Sequence, residues 1–307
     1  MPQHFLLRPP ISTPSPSSKA TTLPPTRMPR MIYGTAWKKT TTAKLVHQAL
    51  CAGFRAIDTA CQPRHYNEAQ VGAGVRAFLR EQEGKVGRRE LYLQTKFTPE
   101  GGQDPATIPY DPLLAPAEQV AASIKVSLQN LGVEYIDTLV LHSPFPNFKD
   151  TVEAWRAMFS YTPYSPTSST SSPVHNIGLS NIDLPTLTAL VSETGIYPSV
   201  IQNRFYADTA FDVPLRRWCV ANDVIYQSFW TLSANPHLLR SKRVREIAAQ
   251  FDLPSLATAL YAAVLSERNL AVLNGTTSES HMEEDLQVVE RNLLEDSEEI
   301  SKMLNVT

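Results

Sequence analysis

The stretch YIDTLVLHSP, residues 135–144, carries the reading of the fold. Ile136, Leu139, Val140 and Leu141 form a short apolar run with β-branched members, and the run closes on His142. Such a run, too short for a helix, reads as a strand buried on both faces. Just before it, Ala117–Leu131 places Val120, Ile124, Leu128 and Leu131 at i, i+4, i+8 and i+11, one face of a helix. The same alternation repeats outward in both directions. The candidate strands are Met31–Ala36, Phe54–Ala60, Leu91–Phe97, Tyr135–Ser143, His175–Asn181, Ser199–Phe205, Val224–Phe229 and Leu270–Thr276. Between them lie helical segments. Asp183 is an N-cap signal before Leu184–Glu193, Asn235-Pro236 opens another helix, and Met282, Leu286, Val289 and Leu293 share one helical face. Eight strands, each followed by helix, require a parallel sheet with crossover connections. Open doubly wound sheets share that pattern, so periodicity alone does not close the sheet into a barrel.

Composition narrows the functions. The 307 residues suit one α/β barrel of about 250 residues plus extensions. With 42% apolar and 19% charged residues, a full core can form. A net charge of −2 offers no footprint for nucleic acid or an anionic membrane, and no apolar run approaches the roughly 18 residues of a membrane span. Cys51, Cys61 and Cys219 are odd in number and form no C-x-x-C pair, which points to a reducing compartment, the cytoplasm, rather than to disulfides or zinc. Nothing in the sequence demands an oligomer; a monomer suffices.

Two segments break the rhythm. Residues 1–30 are rich in Pro, Ser and Thr, carry Arg8, Lys19, Arg27 and Arg30, and contain no acid. They read as a disordered tail before a barrel spanning residues 31–307. A mitochondrial transit segment would share the composition, but prolines at 9, 10, 14, 16, 24 and 25 would break its helix. Ser160–Pro173, SYTPYSPTSSTSSP, reads as a floppy loop insertion on the barrel's N-terminal face, shortening the helix Thr151–Phe159.

Polar residues recur at the C-terminal ends of successive candidate strands: Asp58, Lys96, His142, Ser180 with Asn181, and Gln202. Each is costly inside an apolar strand unless partnered or functional. Five in series fit the mouth of a barrel, where reactive groups come from several strand ends. Asp58 and Lys96 can pair and keep the lysine cationic. A cationic Lys96 would lower the pKa of a neighbouring phenol and make it a usable acid. Tyr66, in the loop past Asp58, is the phenol in position, and its hydroxyl is expected within hydrogen-bond reach of the Lys96 ammonium. His142 can donate toward the same oxygen, so the set would stabilise negative charge building on a carbonyl oxygen.

The segments Gly34-Thr35-Ala36-Trp37, GFRAIDTA (53–60), YNEAQVG (66–72), LQTKF (93–97), YIDTLVLHSP (135–144), IGLSN (177–181) and IQN (201–203) resemble, in order, the motif series of the aldo-keto reductase family. The likeness runs from about Met31 to about Leu294. It implies a single-domain (β/α)8 TIM barrel that binds NADPH or NADH in extended form and reduces the carbonyl of a small aldehyde, ketone or keto acid. By the same likeness Asp58, Tyr66, Lys96 and His142 make the catalytic set. Ser180, Asn181 and Gln202 would hold the nicotinamide carboxamide, Phe229 would stack on its ring, and Leu232 would line the cofactor tunnel. Asn274–Asp285, including Thr276, His281 and Asp285, would receive the adenosine end, with Thr35 and Asp58 also counted among the cofactor contacts.

Three departures qualify the likeness. The tyrosine usually follows the aspartate by five residues; that place is Pro63, and Tyr66 follows by eight, so Cys61–His65 reads as a small insertion. Gly275 and His281 stand where a Lys and an Arg commonly meet the cofactor's 2′-phosphate, so NADPH is favoured only slightly over NADH. The chain ends about a dozen residues after its last helical pattern, leaving a short C-terminal loop and no indication of substrate. A rival reading is a cofactor-binding barrel with weak turnover acting as a regulatory or interaction subunit, motivated by the shifted tyrosine and the Ser/Thr-rich insertion. Tyr92-x-x-x-Lys96 lies on a strand without a Gly-rich turn nearby, Gly178-Leu-Ser180 lacks the second glycine of a nucleophile elbow, and His142 and His281 have no neighbours at metal-ligand spacing. No metal is expected. Trp37, Phe145 and Trp230 could wall an apolar pocket, although core packing is the commoner role for any one such aromatic.

Overall fold

The predicted eight strands close into a barrel in a computed structural model that describes residues 3–10, 25–167, 172–291 and 293. Two short strands come first, β1 (His4–Leu6) and β2 (Arg27–Pro29). The barrel unit then runs β3 (Met31–Gly34), α1 (Thr42–Ala52), β4 (Ala56–Asp58), α2 (Glu68–Glu81), β5 (Tyr92–Phe97), α3 (Pro116–Leu131), β6 (Ile136–Leu141) and α4 (Phe148–Ser160). It continues with β7 (Val174–Ser180), α5 (Leu184–Thr194), β8 (Val200–Arg204), α6 (Val213–Ala221) and β9 (Ile225–Phe229). After β9 come α7 (Pro236–Leu239), α8 (Lys242–Gln250), α9 (Leu256–Leu265), β10 (Leu270–Asn274) and α10 (Glu279–Glu290). Strands β3 to β10 pair in parallel in sequence order, and β10 returns to β3 with Val272 opposite Met31 and Asn274 opposite Tyr33. This closure is what the hydrophobic pattern alone leaves open.

Local chemistry explains the helix starts. The Asp183 side chain accepts from Thr186 N at 2.8 Å and the Asn67 side chain from Gln70 N at 3.1 Å, satisfying amides that a first turn otherwise leaves unpaired. The apolar faces then bury against the strands: Val120, Ile124 and Leu131 of α3 are buried, as are Met282, Leu286 and Val289 of α10. Gly72 is needed where α2 crosses the end of α3, because a Cβ there would sit 2.4 Å from the Leu131 carbonyl oxygen. No helix among the described residues is long and apolar enough to cross a membrane.

The expectation of a disordered tail over residues 1–30 requires correction at both of its ends. β1 and β2 pair antiparallel, with His4 opposite Pro29 and Leu6 opposite Arg27. Leu7 and Met28 then pack with Ile32, Ala56, Tyr92, Val200, Ile225 and Ala271 in a small core inside the barrel. Asn176 of β7 donates to the Thr26 hydroxyl at 2.7 Å, and buried Arg30 donates to the Leu270 carbonyl at 3.2 Å. The ribbon therefore plugs the N-terminal end of the barrel. Residues 11–24 lie outside the described residues.

The Ser160–Pro173 segment joins α4 to β7, which places it at the barrel's N-terminal end, opposite the strand ends that carry the polar series. Its expected cost to the preceding helix is not seen. α4 runs the full Phe148–Ser160, and Thr162 is buried with its hydroxyl donating to Phe159 O at 2.8 Å. Residues 168–171 of the segment lie outside the described residues.

Candidate active site

At the C-terminal end of the barrel, a layer of buried polar side chains crosses the interior and centres on Asp58. One carboxylate oxygen accepts from Lys96 Nζ at 2.6 Å; the other accepts from Gln94 Nε2 at 2.7 Å and Gln202 Nε2 at 3.0 Å. The Gln227 amide closes the ring, accepting from Gln94 and Gln202 at 2.8 and 2.9 Å and donating back to Gln94 Oε1 at 2.9 Å. Lys96 is fully buried and donates a second bond, to Thr59 O at 2.8 Å. Burial lowers its pKa, and the adjacent Asp58 carboxylate opposes that shift by favouring the charged form. A network in which each member has partners rigidifies the floor of the barrel mouth.

Tyr66 lies above this floor. The extra residues before it are absorbed by a tight turn in which the amides of His65 and Tyr66 both donate to Gln62 O at 3.0 Å, while Cys61 N holds Lys96 O at 3.1 Å. That turn brings the phenol ring back over the site: Lys96 Nζ is 5.0 Å from the ring centroid, and the His142 ring lies 5.9 Å away, edge-on. The expected hydrogen bond from Lys96 to the Tyr66 hydroxyl is not among those the described residues form, because the ammonium is turned down to Asp58 and Thr59. The expected fall in the phenol's pKa is likewise corrected. Burial pushes it up, and the Asp58 charge adds to the rise. Desolvation is the larger of the two causes, and the phenol stays protonated.

His142 completes the cluster. Its Nδ1 is 2.7 Å from the Thr98 hydroxyl, and its backbone oxygen accepts from Asn181 Nδ2 at 2.9 Å. Burial, with Lys96 and His65 adding positive charge nearby, holds the imidazole well below its usual pKa, so it is neutral. The Thr98 hydroxyl has no other acceptor among the described residues; donating to Nδ1, it would place the imidazole proton on Nε2, the nitrogen left for a ligand.

A cavity of about 880 Å³ opens over these groups and runs on to the start of α10. Asp58, Tyr66, His142, Ser180, Asn181, Gln202, Phe229, Leu232, Thr276, His281 and Asp285 all line it. Thr35 does not, which corrects its assignment as a cofactor contact: it is fully buried, and its hydroxyl donates to Asp58 O at 2.9 Å. Within the lining, roles differ by atom. Ser180 Oγ donates to Gln202 O at 2.6 Å, and Asn181 Nδ2 is taken by His142 O and Ser180 Oγ, so Gln202 Oε1 and Asn181 Oδ1 are the amide acceptors left for a ligand. Asp285 has both oxygens bonded inside the protein, to Asn274 Nδ2 at 2.7 Å and Thr258 Oγ1 at 3.4 Å, and burial raises its pKa to about 6. It ties α9, β10 and α10 together. Trp37 and Trp230, both exposed, line the cavity mouth, with the Trp37 ring tilted against His65 at 3.8 Å between centroids, whereas Phe145 packs away from it against Phe97.

The model of the Aldo/keto reductase family matches residues 30–305. The chain belongs to this family. Among curated relatives, the NAD/NADP-dependent indole-3-acetaldehyde reductase of Schizosaccharomyces pombe is 28% identical over 192 residues, covering 61% of this chain and 57% of that protein. The 2,5-diketo-D-gluconic acid reductase B of a Corynebacterium is 29% identical over 208 residues, covering 67% and 64%. The chain thus matches about three fifths of the length of these relatives. Among solved structures, an aldo/keto reductase from Brucella melitensis superposes with a TM-score of 0.70 at 24% identity, covering 90% of this chain and 95% of that one. The Bombyx mori aldo-keto reductase in complex with NADP gives 0.68 at 21%, covering 92% of each. At these identities the superpositions speak to the (β/α)8 barrel fold.

Several lining or supporting residues of this family barrel were not apparent from sequence: Gln94, Thr98, Gln227, Lys38 and Arg204. Lys38 is buried and bonds the Gly275 carbonyl across the cavity. Two signals were available, the polar interior of YLQTKF (92–97) and Gln227 one strand-step from Phe229. Outside the cavity, His47 and Cys51 stand at i, i+4 on α1 with Glu81 of α2, their ligand-type atoms within 4.8 Å of one another; His47 Nε2 is bonded to Glu81 at 2.8 Å.

Proposed function

We propose that the chain is an NAD(P)H-dependent reductase converting the carbonyl of a small aldehyde, ketone or keto acid to an alcohol, with Tyr66, Lys96, His142 and Asp58 as its catalytic set. The supporting observation is the convergence of a protonated phenol, a buried ammonium–carboxylate pair and a neutral imidazole at one end of a single long cavity.

The lining fits a nicotinamide dinucleotide. Phe229 offers a ring face in the cavity, Gln202 Oε1 and Asn181 Oδ1 can accept from a carboxamide, and Lys38, Thr276 and the α10 N-terminus can receive phosphate oxygens. When bound, a reduced nicotinamide supplies hydride to the carbonyl carbon. The His142 Nε2–H donates to the carbonyl oxygen and orients it. Tyr66, held protonated by burial, supplies the proton that the developing alkoxide takes. Lys96, tied to Asp58, stabilises negative charge reaching the phenol oxygen. Gly275 and His281 in place of a basic pair make the preference for NADPH over NADH a weak one. We place the enzyme in the cytoplasm as a monomer.

A cofactor-binding barrel with little turnover is the reading favoured by one observation, the Lys96 ammonium turned away from the Tyr66 hydroxyl. Both readings require that NADPH or NADH bind and quench intrinsic fluorescence. Only the reductase reading requires the bound cofactor to be oxidised by members of a panel of aldehydes, ketones and keto acids. Binding without oxidation by any of them would reject it.

A further inference from the structure

Arg204, the last residue of β8, stands two residues beyond Gln202, so both side chains point into the barrel mouth and Arg204 forms the layer above the polar floor. Its register partner is Phe229, and aromatic rings hold its guanidinium: the Cζ carbon lies 4.3 Å from the Trp230 ring, 5.3 Å from Tyr206 and 5.9 Å from Phe229. Trp230 adopts φ +58°, a left-handed backbone that a bulky side chain seldom takes, and in that conformation it covers the guanidinium. Among the described residues no carboxylate pairs with Arg204 and no oxygen accepts from it; its Nε is buried with no partner at all. Arg88 shares the unbonded Nε, but its terminal nitrogens are answered by protein oxygens, Asp137 among them at 2.7 Å, as those of Arg216 are by Glu267 at 3.1 Å; those of Arg204 are not. Aromatic faces hold a guanidinium without using its N–H groups, leaving the planar donor fork for something outside the chain.

We infer that Arg204 is an oxyanion receptor in the cavity, taking a carboxylate or phosphate group by a bidentate, charge-assisted contact. The inference rests on reading the cavity as a reductase site and adds the class of ligand. The oxyanion belongs either to the carbonyl substrate, making it an aldehyde or ketone acid, or to the cofactor's diphosphate. Lys38, across the cavity at Gly275, is a second cation available to the diphosphate, which leaves Arg204 for a substrate anion.

Succinic semialdehyde and butanal share a four-carbon aldehyde and differ in the terminal carboxylate. The test compares kcat/KM for the two, and the NADPH dissociation constant, in wild type, Arg204→Gln and Arg204→Lys. A substrate anion site is expected to lower the acid-over-neutral preference by about 10- to 100-fold in Arg204→Gln, through KM, with cofactor affinity unchanged. A cofactor site would instead weaken NADPH binding by a similar factor and leave the preference unchanged. Arg204→Lys, cationic but without the fork, should fall between wild type and Arg204→Gln. Were it as impaired as Arg204→Gln, packing rather than charge would be at work, and the inference would be overturned. A tryptophan-fluorescence titration with inorganic phosphate needs no turnover, so it answers even if the protein reduces neither aldehyde: Trp230 should report saturable binding in wild type that Arg204→Gln loses. If preference, cofactor affinity and phosphate titration all stay within about twofold between wild type and Arg204→Gln, Arg204 binds no oxyanion.

Discussion

Replacing Asp58 by asparagine is the perturbation whose consequences the geometry defines most fully. Asp58 and Lys96 are both buried, at 1% and 0% exposure, and bonded at 2.6 Å. Asp58→Asn leaves an ammonium in the barrel interior without its paired carboxylate and with neutral oxygens alone as acceptors, a loss expected to be about 3–5 kcal/mol for one partner removed from a buried pair. Lys96→Met should cost a similar amount, because the carboxylate then keeps only the Gln94 and Gln202 amides. The double variant removes both charges and should cost no more than either single variant, giving a coupling of at least about 3–5 kcal/mol. Denaturant unfolding followed by circular dichroism measures all four proteins. A pH signature accompanies the cycle. Without Asp58 only the weaker Glu68 charge opposes the burial that lowers the Lys96 pKa, so the folded state favours the neutral amine more strongly. A folded pKa below the unfolded one makes the penalty largest at low pH, and it should shrink as pH rises toward the unfolded lysine value, by up to about 1.4 kcal/mol per unit. Single variants costing under about 1 kcal/mol, or costs that simply add, would refute the view of Asp58 as the counter-charge that keeps Lys96 cationic.

Two further outcomes follow from the same geometry. Burial raises Asp285 to about 6, so the folded state holds its proton more tightly than the unfolded chain; its contribution to stability is fullest below about pH 4 and falls by up to about 3 kcal/mol as pH rises through about 6. Melting temperatures across that window should decline in wild type and stay flatter in Asp285→Asn; identical slopes would sink the assignment. Thr98→Val removes the hydroxyl on His142 Nδ1, and turnover should drop about tenfold while NADPH affinity holds. Nitrogen NMR of the His142 ring should then show a mixed tautomer where wild type shows one, and an unchanged ring spectrum would deny Thr98 its positioning role.

The strand series was legible because each buried parallel strand is a short apolar run, and a polar residue at its end stands out. Asp58, Lys96, His142 and Gln202 were visible for that reason. Gln94 and Gln227 were not, since each looks like an isolated defect until barrel closure brings together partners 133 residues apart. Thr35 shows the reverse error. It sits inside a motif, but its hydroxyl faces the carbonyl of the neighbouring strand rather than the cavity. The N-terminal ribbon was missed because each strand has three residues, too few for a pattern, and its stability comes from the barrel end it covers. The Tyr66 ring lies 5.0 Å from the Lys96 ammonium, but the direction of its pKa follows chiefly from burial of the phenol, which spacing alone does not reveal.

The most direct test is stopped-flow reduction of a carbonyl substrate by NADPH in wild type and Tyr66→Phe, with cofactor affinity measured in parallel. Loss of the phenol proton should slow turnover by about 10²- to 10⁴-fold while NADPH binds as before. Equal rates in the two proteins would contradict the assignment of the Tyr66 hydroxyl as the proton donor.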